Sequence, residues 1–184
     1  MWRTSRTIAG GGILLDQGIH MVDLMLQFGG DFSEVKSFVS NGYWRHDVED
    51  NAYALLRSKD GVVAMLHSTA TQWRHRFQLE ISLTEGGITL AGILSGTKSY
   101  GSESLTVSYR EDEANGNPRE QMTTYIRDDS WKLEIDEFVH SLIEDQPIQN
   151  GTSLDALRSM QLVHRIYGAD ASWADALAVA DEAR

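Results

Sequence analysis

The sequence predicts an α+β fold: a large open, mainly antiparallel sheet with helices packed on one face. Helical spacing of apolar residues is confined to one block near the start and two near the end. Alternating, strand-like segments fill the middle. The connections between those segments are short, which favours antiparallel neighbours over βαβ crossovers.

Residues 1–9 carry no clear period. After Gly10-Gly11-Gly12, Leu15, Ile19, Val22 and Leu26 recur at helical spacing, with Asp16, His20, Asp23 and Gln27 forming a polar stripe on the same helix. Phe28-Gly29-Gly30 closes it, glycine being the usual residue beyond a helix end. Val35–Tyr43 then alternates, with Val35, Ser37, Val39 and Asn41 on one face and Lys36, Phe38 and Ser40 on the other. Asn51–Ser58 and Val62–Thr71 read as a hairpin around Lys59-Asp60-Gly61, since Asp-Gly supplies tight-turn backbone angles. Arg76–Thr84 and Ile88–Ala91 follow, joined through Glu85-Gly86-Gly87. Two more strands are expected at Ser104–Arg110 and Gln121–Arg127, joined by a polar loop over Glu111–Arg119.

Trp131, Ile135, Phe138 and Leu142 mark the next helix, which Pro147 stops. Thr152 and Asp155 form a capping-box pattern opening a helix that carries Leu154, Leu157, Met160, Val163 and Ile166 to Gly168. The Ala-rich tail from Ala169 is read as helical. The helices should cover one sheet face, leaving the other for a partner.

The 184 residues suit a single domain over 1–184. Sixteen basic against 27 acidic side chains give a net charge of -11, which disfavours nucleic acid and anionic membranes as partners. With no cysteine, disulfides and thiolate metal sites are excluded. The apolar run Ile13-Leu14-Leu15 is too short for a signal peptide, and no stretch reads as a membrane span, so a cytoplasmic location is expected.

Asp16 and His20 lie four apart, so on a helix the carboxylate could orient the imidazole, a plausible acid–base unit for moving a hydroxyl proton. The same spacing is equally that of a plain solvated helix face. A metal site would need a third ligand from His46, His67, His75 or a carboxylate, and no ligand spacing supports one. Trp73 and Arg76 bound a basic-aromatic cluster suited to stacking on a sugar or pairing with a phosphate, or else to an ordinary turn or interface. They are taken with Arg3 as substrate-binding candidates. The glycine cluster fails as a dinucleotide loop, because Leu15 stands where the third small residue belongs and no apolar strand precedes it.

The segment Gly10-Gly11-Gly12-Ile13-Leu14-Leu15-Asp16-Gln17-Gly18-Ile19-His20-Met21-Val22-Asp23 resembles the Gly-Gly-Gly-x-Leu-x-Asp-x-Gly-x-His-x-x-Asp signature of the Gfo/Idh/MocA oxidoreductases. The likeness continues through Val48-Glu49-Asp50-Asn51-Ala52, the Asp60-Gly61 hairpin, Glu80–Gly86, Trp131–Phe138 and Ser153–Tyr167. It implies the C-terminal substrate domain of such an enzyme, with His20 as proton acceptor, Asp16 supporting it, and Asp23 structural. It also implies NAD or NADP as cofactor. Nothing in the chain resembles the family's Rossmann half or its Glu-Lys-Pro motif, so neither cofactor is expected to bind this chain alone.

The expected function is the substrate-binding and catalytic half of an NAD(P)-dependent oxidoreductase. Its substrate would be a sugar, polyol or nucleotide-sugar, and self-association would run through the open sheet face. The alternatives are a non-catalytic dimerisation or ligand-binding module, and a metal-dependent enzyme using His20.

Overall fold

A computed structural model describes residues 1–95, 99–111 and 117–175. The described chain is α+β, and every strand pair is antiparallel. Its seven strands fall into two sheets, of three and four strands, where the sequence predicts one large sheet. The chain divides correspondingly into two compact units, 1–71 with 149–184, and 72–148.

In the first unit a short α1 (Arg6–Ala9) precedes a π-helical turn at Leu14–Gly18, which runs directly into α2 (Ile19–Gly29). The sheet follows in the order β1 (Phe32–Ser40), β2 (Asn51–Ser58), β3 (Val63–Thr69). After the excursion into the second unit, α4 (Ser153–Ala169) returns. The capping box holds: Thr152 Oγ1 accepts from the Asp155 amide at 3.2 Å, and an Asp155 carboxylate oxygen accepts from the Thr152 amide at 2.9 Å.

β1 alternates as the sequence predicts, burying Ser37 and Val39 and exposing Lys36 and Phe38. Ala52, Ala54 and Leu56 of β2 and Leu66 of β3 continue the inner face, against Val22 and Met25 of α2 and Leu162, Val163 and Ile166 of α4. Side chains at every second strand position thus share one core, while the positions between them face outward. Polar groups also tie these elements together: Ser37 of β1 donates to the Ile166 carbonyl of α4 at 2.6 Å, and Ser159 of α4 donates to Asp23 of α2 at 3.0 Å. Asp23 also accepts from Gln27 at 3.1 Å, so it works as a bridge between α2 and α4.

The opposite face of this sheet is uncovered. Register sets Phe38 beside Tyr53 and His67, and Lys36 beside Leu55 and Met65. Phe38, Leu55, Val63 and Met65 are all exposed there. Tyr53 stacks on His67 with centroids 4.2 Å apart, and desolvation holds that imidazole's pKa below its ordinary value.

The second unit is a meander, β4 (Gln78–Leu83), β5 (Gly86–Ala91), β6 (Glu103–Tyr109) and β7 (Arg119–Tyr125), followed by α3 (Ser130–Ile143). Gly86 and Gly92, at φ 153° and 74°, stand where a Cβ would come within 2.0 and 2.1 Å of the Ser108 and Ser102 carbonyl oxygens. The apolar stripe predicted for α3 is present, but Trp131, Ile135, Phe138 and Leu142 are exposed instead of covering a sheet. Residues 171–175 of the Ala-rich tail are helical. The rest of that tail, and the Asn115-Gly116 part of the predicted loop, lie outside the described residues.

Candidate functional site

The glycine segment before Asp16 is shaped by a buried carboxylate. Glu49, 2% exposed, accepts from the Gly12 amide at 2.7 Å through Oε2 and from the Leu14 amide at 2.9 Å through Oε1. Tyr167 of α4 donates its hydroxyl to Oε1 at 2.7 Å, and the Glu49 carbonyl accepts from the Ile13 amide at 3.2 Å. Such an approach requires glycine. A Cβ on Gly12 would lie 2.1 Å from the Glu49 carbonyl oxygen, and one on Gly11 would lie 2.4 Å from the Tyr167 hydroxyl. Burial, and then the neighbouring Glu49 charge, push the Tyr167 phenol far above its ordinary range.

The π turn follows from this anchor. Leu14 is fully buried, and Gly18 lies against Ser68 of β3, where a Cβ would come within 2.7 Å of the Ser68 hydroxyl oxygen. Ser68 in turn donates to the Ile13 carbonyl at 3.2 Å. The helix start is thereby pinned over the end of β3, and the short wide turn between these two anchors places Asp16 and His20 on the outside, both exposed.

The structure does not give Asp16 and His20 a direct hydrogen bond. The π turn interrupts the α-helical register on which the four-residue alignment depends. Asp16 instead meets Arg3, with Nη1 to Oδ2 at 4.0 Å and both side chains well exposed. An open pair at that distance adds little stability, so Arg3 remains free to turn to another anion or hydroxyl. Its guanidinium also lies over the Trp2 ring, 5.2 Å from the centroid.

Trp73 and Arg76 belong to the second unit. Trp73 is 98% exposed, and the Arg76 guanidinium is engaged by the Gln78 side chain, with Nε to Oε1 at 3.0 Å. His75 of the same cluster shares a hydrogen bond with Ser99 at 2.7 Å. Two cavities, of about 230 and 320 Å³, are lined by Phe77, Leu90, Glu103 and Tyr125 in one case and by Asp23, Asp31, Asp155 and Arg158 in the other. Neither includes Asp16 or His20. Among the described residues no group of three or more His, Cys, Asp or Glu could hold a metal ion, and no helix is long and apolar enough to cross a membrane.

A second buried carboxylate stands next to the first. Asp50, 3% exposed, accepts from the Tyr43 and Trp44 amides through Oδ2, each at 2.9 Å, and from the Asn51 side chain through Oδ1 at 2.8 Å. The sequence reading notes Glu49-Asp50 only within a resemblance and misses its physical role. The available signal was two adjacent acids immediately before an apolar strand, because buried charges must find donors.

The glycine amides bear on cofactor binding. A dinucleotide loop needs free N–H groups directed at a pyrophosphate. Here the Gly12 and Leu14 amides are spent on Glu49, so this segment does not fit NAD or NADP.

Residues 1–89 match the family model of the GFO/IDH/MocA C-terminal domain. Over 89 residues the chain is 33% identical to a 1,5-anhydro-D-fructose reductase of Ensifer adhaerens, a match covering 47% of this chain and 27% of the reductase. In fold it is similar to levoglucosan dehydrogenase solved with NADH and levoglucosan, at a TM-score of 0.75 and 19% identity over 94% of this chain and 52% of that one. It is also similar to the aldose-aldose oxidoreductase of Caulobacter crescentus solved with glycerol, at a TM-score of 0.73 and 20% identity over 94% and 49% of the two chains. The chain thus spans about half the length of these solved relatives.

Proposed function

We propose that this chain, whose residues 1–89 match the Gfo/Idh/MocA C-terminal domain model, is the substrate-side half of a sugar or polyol oxidoreductase. The single observation that carries this reading is the turn built on Glu49. A buried carboxylate, three glycines and a π turn are all used to hold an exposed Asp16 and His20 at the rim of a sheet. A plain solvated helix face needs none of that construction.

In this reading the substrate hydroxyl lies against His20, which takes its proton as the carbon–hydrogen bond gives up a hydride. Asp16, four residues away in sequence, supports the imidazolium through its charge, and Arg3 orients a neighbouring oxygen. NAD(P), implied by the family, would accept the hydride, and its binding groups lie outside the segment described above. The names of the relatives support a sugar as substrate: a reductase of an anhydro-sugar, a dehydrogenase of another, and an aldose oxidoreductase. Trp73 and Arg76 are retained, on their chemistry alone, as sugar-binding candidates of the second unit. The whole chain acts as one module, and a second copy covers the sheet face bearing Phe38, Leu55 and Met65.

The test uses His20→Gln in a preparation with the cofactor-binding domain supplied. Turnover of an anhydro-sugar should fall by about 10²–10⁴-fold, the range for losing a general base, with the melting temperature unchanged because His20 is exposed. Undiminished turnover would remove the proton-acceptor role.

A further inference from the structure

We infer that the loop between β1 and β2 carries a sugar-stacking platform, formed by Trp44 with Tyr43, as a second wall of the same substrate site. The inference rests on the sugar reading above and adds residues to it.

Both walls are anchored by one dipeptide. Glu49 holds the glycine turn before Asp16 and His20, while Asp50 holds the loop by accepting from the Tyr43 and Trp44 amides. Glu49 and Asp50 are both buried, and each spends its carboxylate on a different segment, so one stretch of backbone anchors both. The two surfaces also meet the same strand ends. Gly18 lies against Ser68, the register partner of Ala52, and the Trp44 indole donates to the Ala70 carbonyl at 3.2 Å. The Arg6 amide donates to Asp47 at 2.8 Å, joining the far side of the loop to the helix that precedes the glycines.

The loop is held rigidly at a conformational cost. Arg45 sits at φ 54°, a left-handed conformation worth about 1–2 kcal/mol to a residue with a side chain. Its amide donates to the Asn41 carbonyl at 2.9 Å, and the Asn41 side chain donates to the His46 carbonyl at 2.6 Å. What this framework displays is aromatic: Tyr43 is 60% exposed and Trp44 52%, edge to face with centroids 4.8 Å apart. Large rings ordinarily bury most of their area, so strain and a buried charge spent on holding two of them outward indicate a use.

The surroundings select the ligand class. Asn51, Thr69 and Thr71 form a polar cluster at the adjoining strand ends, with Thr69 and Thr71 hydroxyls 2.9 Å apart and Asn51 donating to Thr71 at 3.3 Å. An apolar ring face beside neutral hydroxyl and amide groups matches a pyranose, whose C–H face packs on the ring while its hydroxyls exchange hydrogen bonds.

The experiment is a titration of the full chain, labelled with nitrogen-15, with levoglucosan and with D-glucose. The Trp44 indole and the amides of 42–47 should shift with the same dissociation constant as those of 12–20. Trp44→Ala should weaken binding about tenfold, the loss of one ring contact, and Trp44→Phe should restore most of it. Trp131→Ala, an exposed tryptophan of the other unit with no part in the proposed site, is the control for a general effect of removing such a side chain. Saturable binding that leaves 42–47 unmoved, wild-type affinity in Trp44→Ala, or no saturable shift with either sugar would each overturn the platform. Retained binding with undiminished turnover in His20→Gln would overturn the proton role while leaving the platform standing.

Discussion

Tyr167→Phe isolates the hydrogen bond that ties α4 to the glycine turn, because it removes one oxygen and leaves the buried ring in place. In the wild type, Glu49 receives two backbone amides and this phenol. A hydrogen bond to a charged, buried acceptor contributes about 1.5–3 kcal/mol. At about 2–4 °C per kcal/mol for a chain of this size, the variant should melt about 3–12 °C lower at pH 7. The sign of the pH dependence gives a second readout. The phenol's pKa is raised in the folded state, so its contribution is complete below the unfolded value near 10 and is lost as pH rises beyond it. The wild type should therefore lose about 1.4 kcal/mol per pH unit above pH 10 from this group, while Tyr167→Phe does not. Urea unfolding followed by circular dichroism between pH 7 and 11 measures both. A gap between the two proteins that is absent at pH 7, or that widens above pH 10, would refute the assignment of Tyr167 as the donor holding Glu49.

Gly12→Ala should destabilise by at least about 3 kcal/mol, since its Cβ would enter the Glu49 carbonyl, whereas Gly61→Ala, with open space around it, should lose only about 1–2 kcal/mol from its φ of 86°. Chemical denaturation of the two variants compares them directly. Met65→Glu should abolish self-association, read by sedimentation velocity, and a wild type that stays monomeric at high concentration would contradict the sheet-face interface. Asp170 accepts from Ser172, Val39 and Trp173, bonds that hold its carboxyl below the usual range, Ser172 first. Its stabilisation is present above the unfolded value of 3.8 and disappears as pH falls through the folded one. Asp170→Asn should therefore melt lower at pH 7 and show a shallower acid limb in melting temperature between pH 5 and 2.

The elements most legible in the sequence are those that follow local rules. β2 begins and ends at Asn51 and Ser58 as its flanking signals indicate, and the Thr152–Asp155 box opens α4 because a cap needs only residues three apart. The partition of strands into two sheets was not legible, because alternation reveals that a strand has two faces but not which strand pairs with it. α3 shows the same limit, since a helical stripe records an apolar face without naming its cover. At the site, Asp16 and His20 stand out by spacing, yet the π turn between them depends on Glu49, more than 30 residues away, and on Tyr167 beyond that. No window along the chain contains those contacts. Arg3 reaching Asp16 has the same non-local origin.

The Glu49–Tyr167 bond spans 118 positions of the polypeptide, and this has a consequence for the order of events during synthesis. The ribosome delivers the glycines, Asp16 and His20 before Tyr167, which follows only after the four-stranded meander and α3 have emerged. Until α4 docks, the carboxylate lacks its third donor and the surrounding wall lacks its lid. The turn that presents Asp16 and His20 is thus translated well before the contact that completes its support can form.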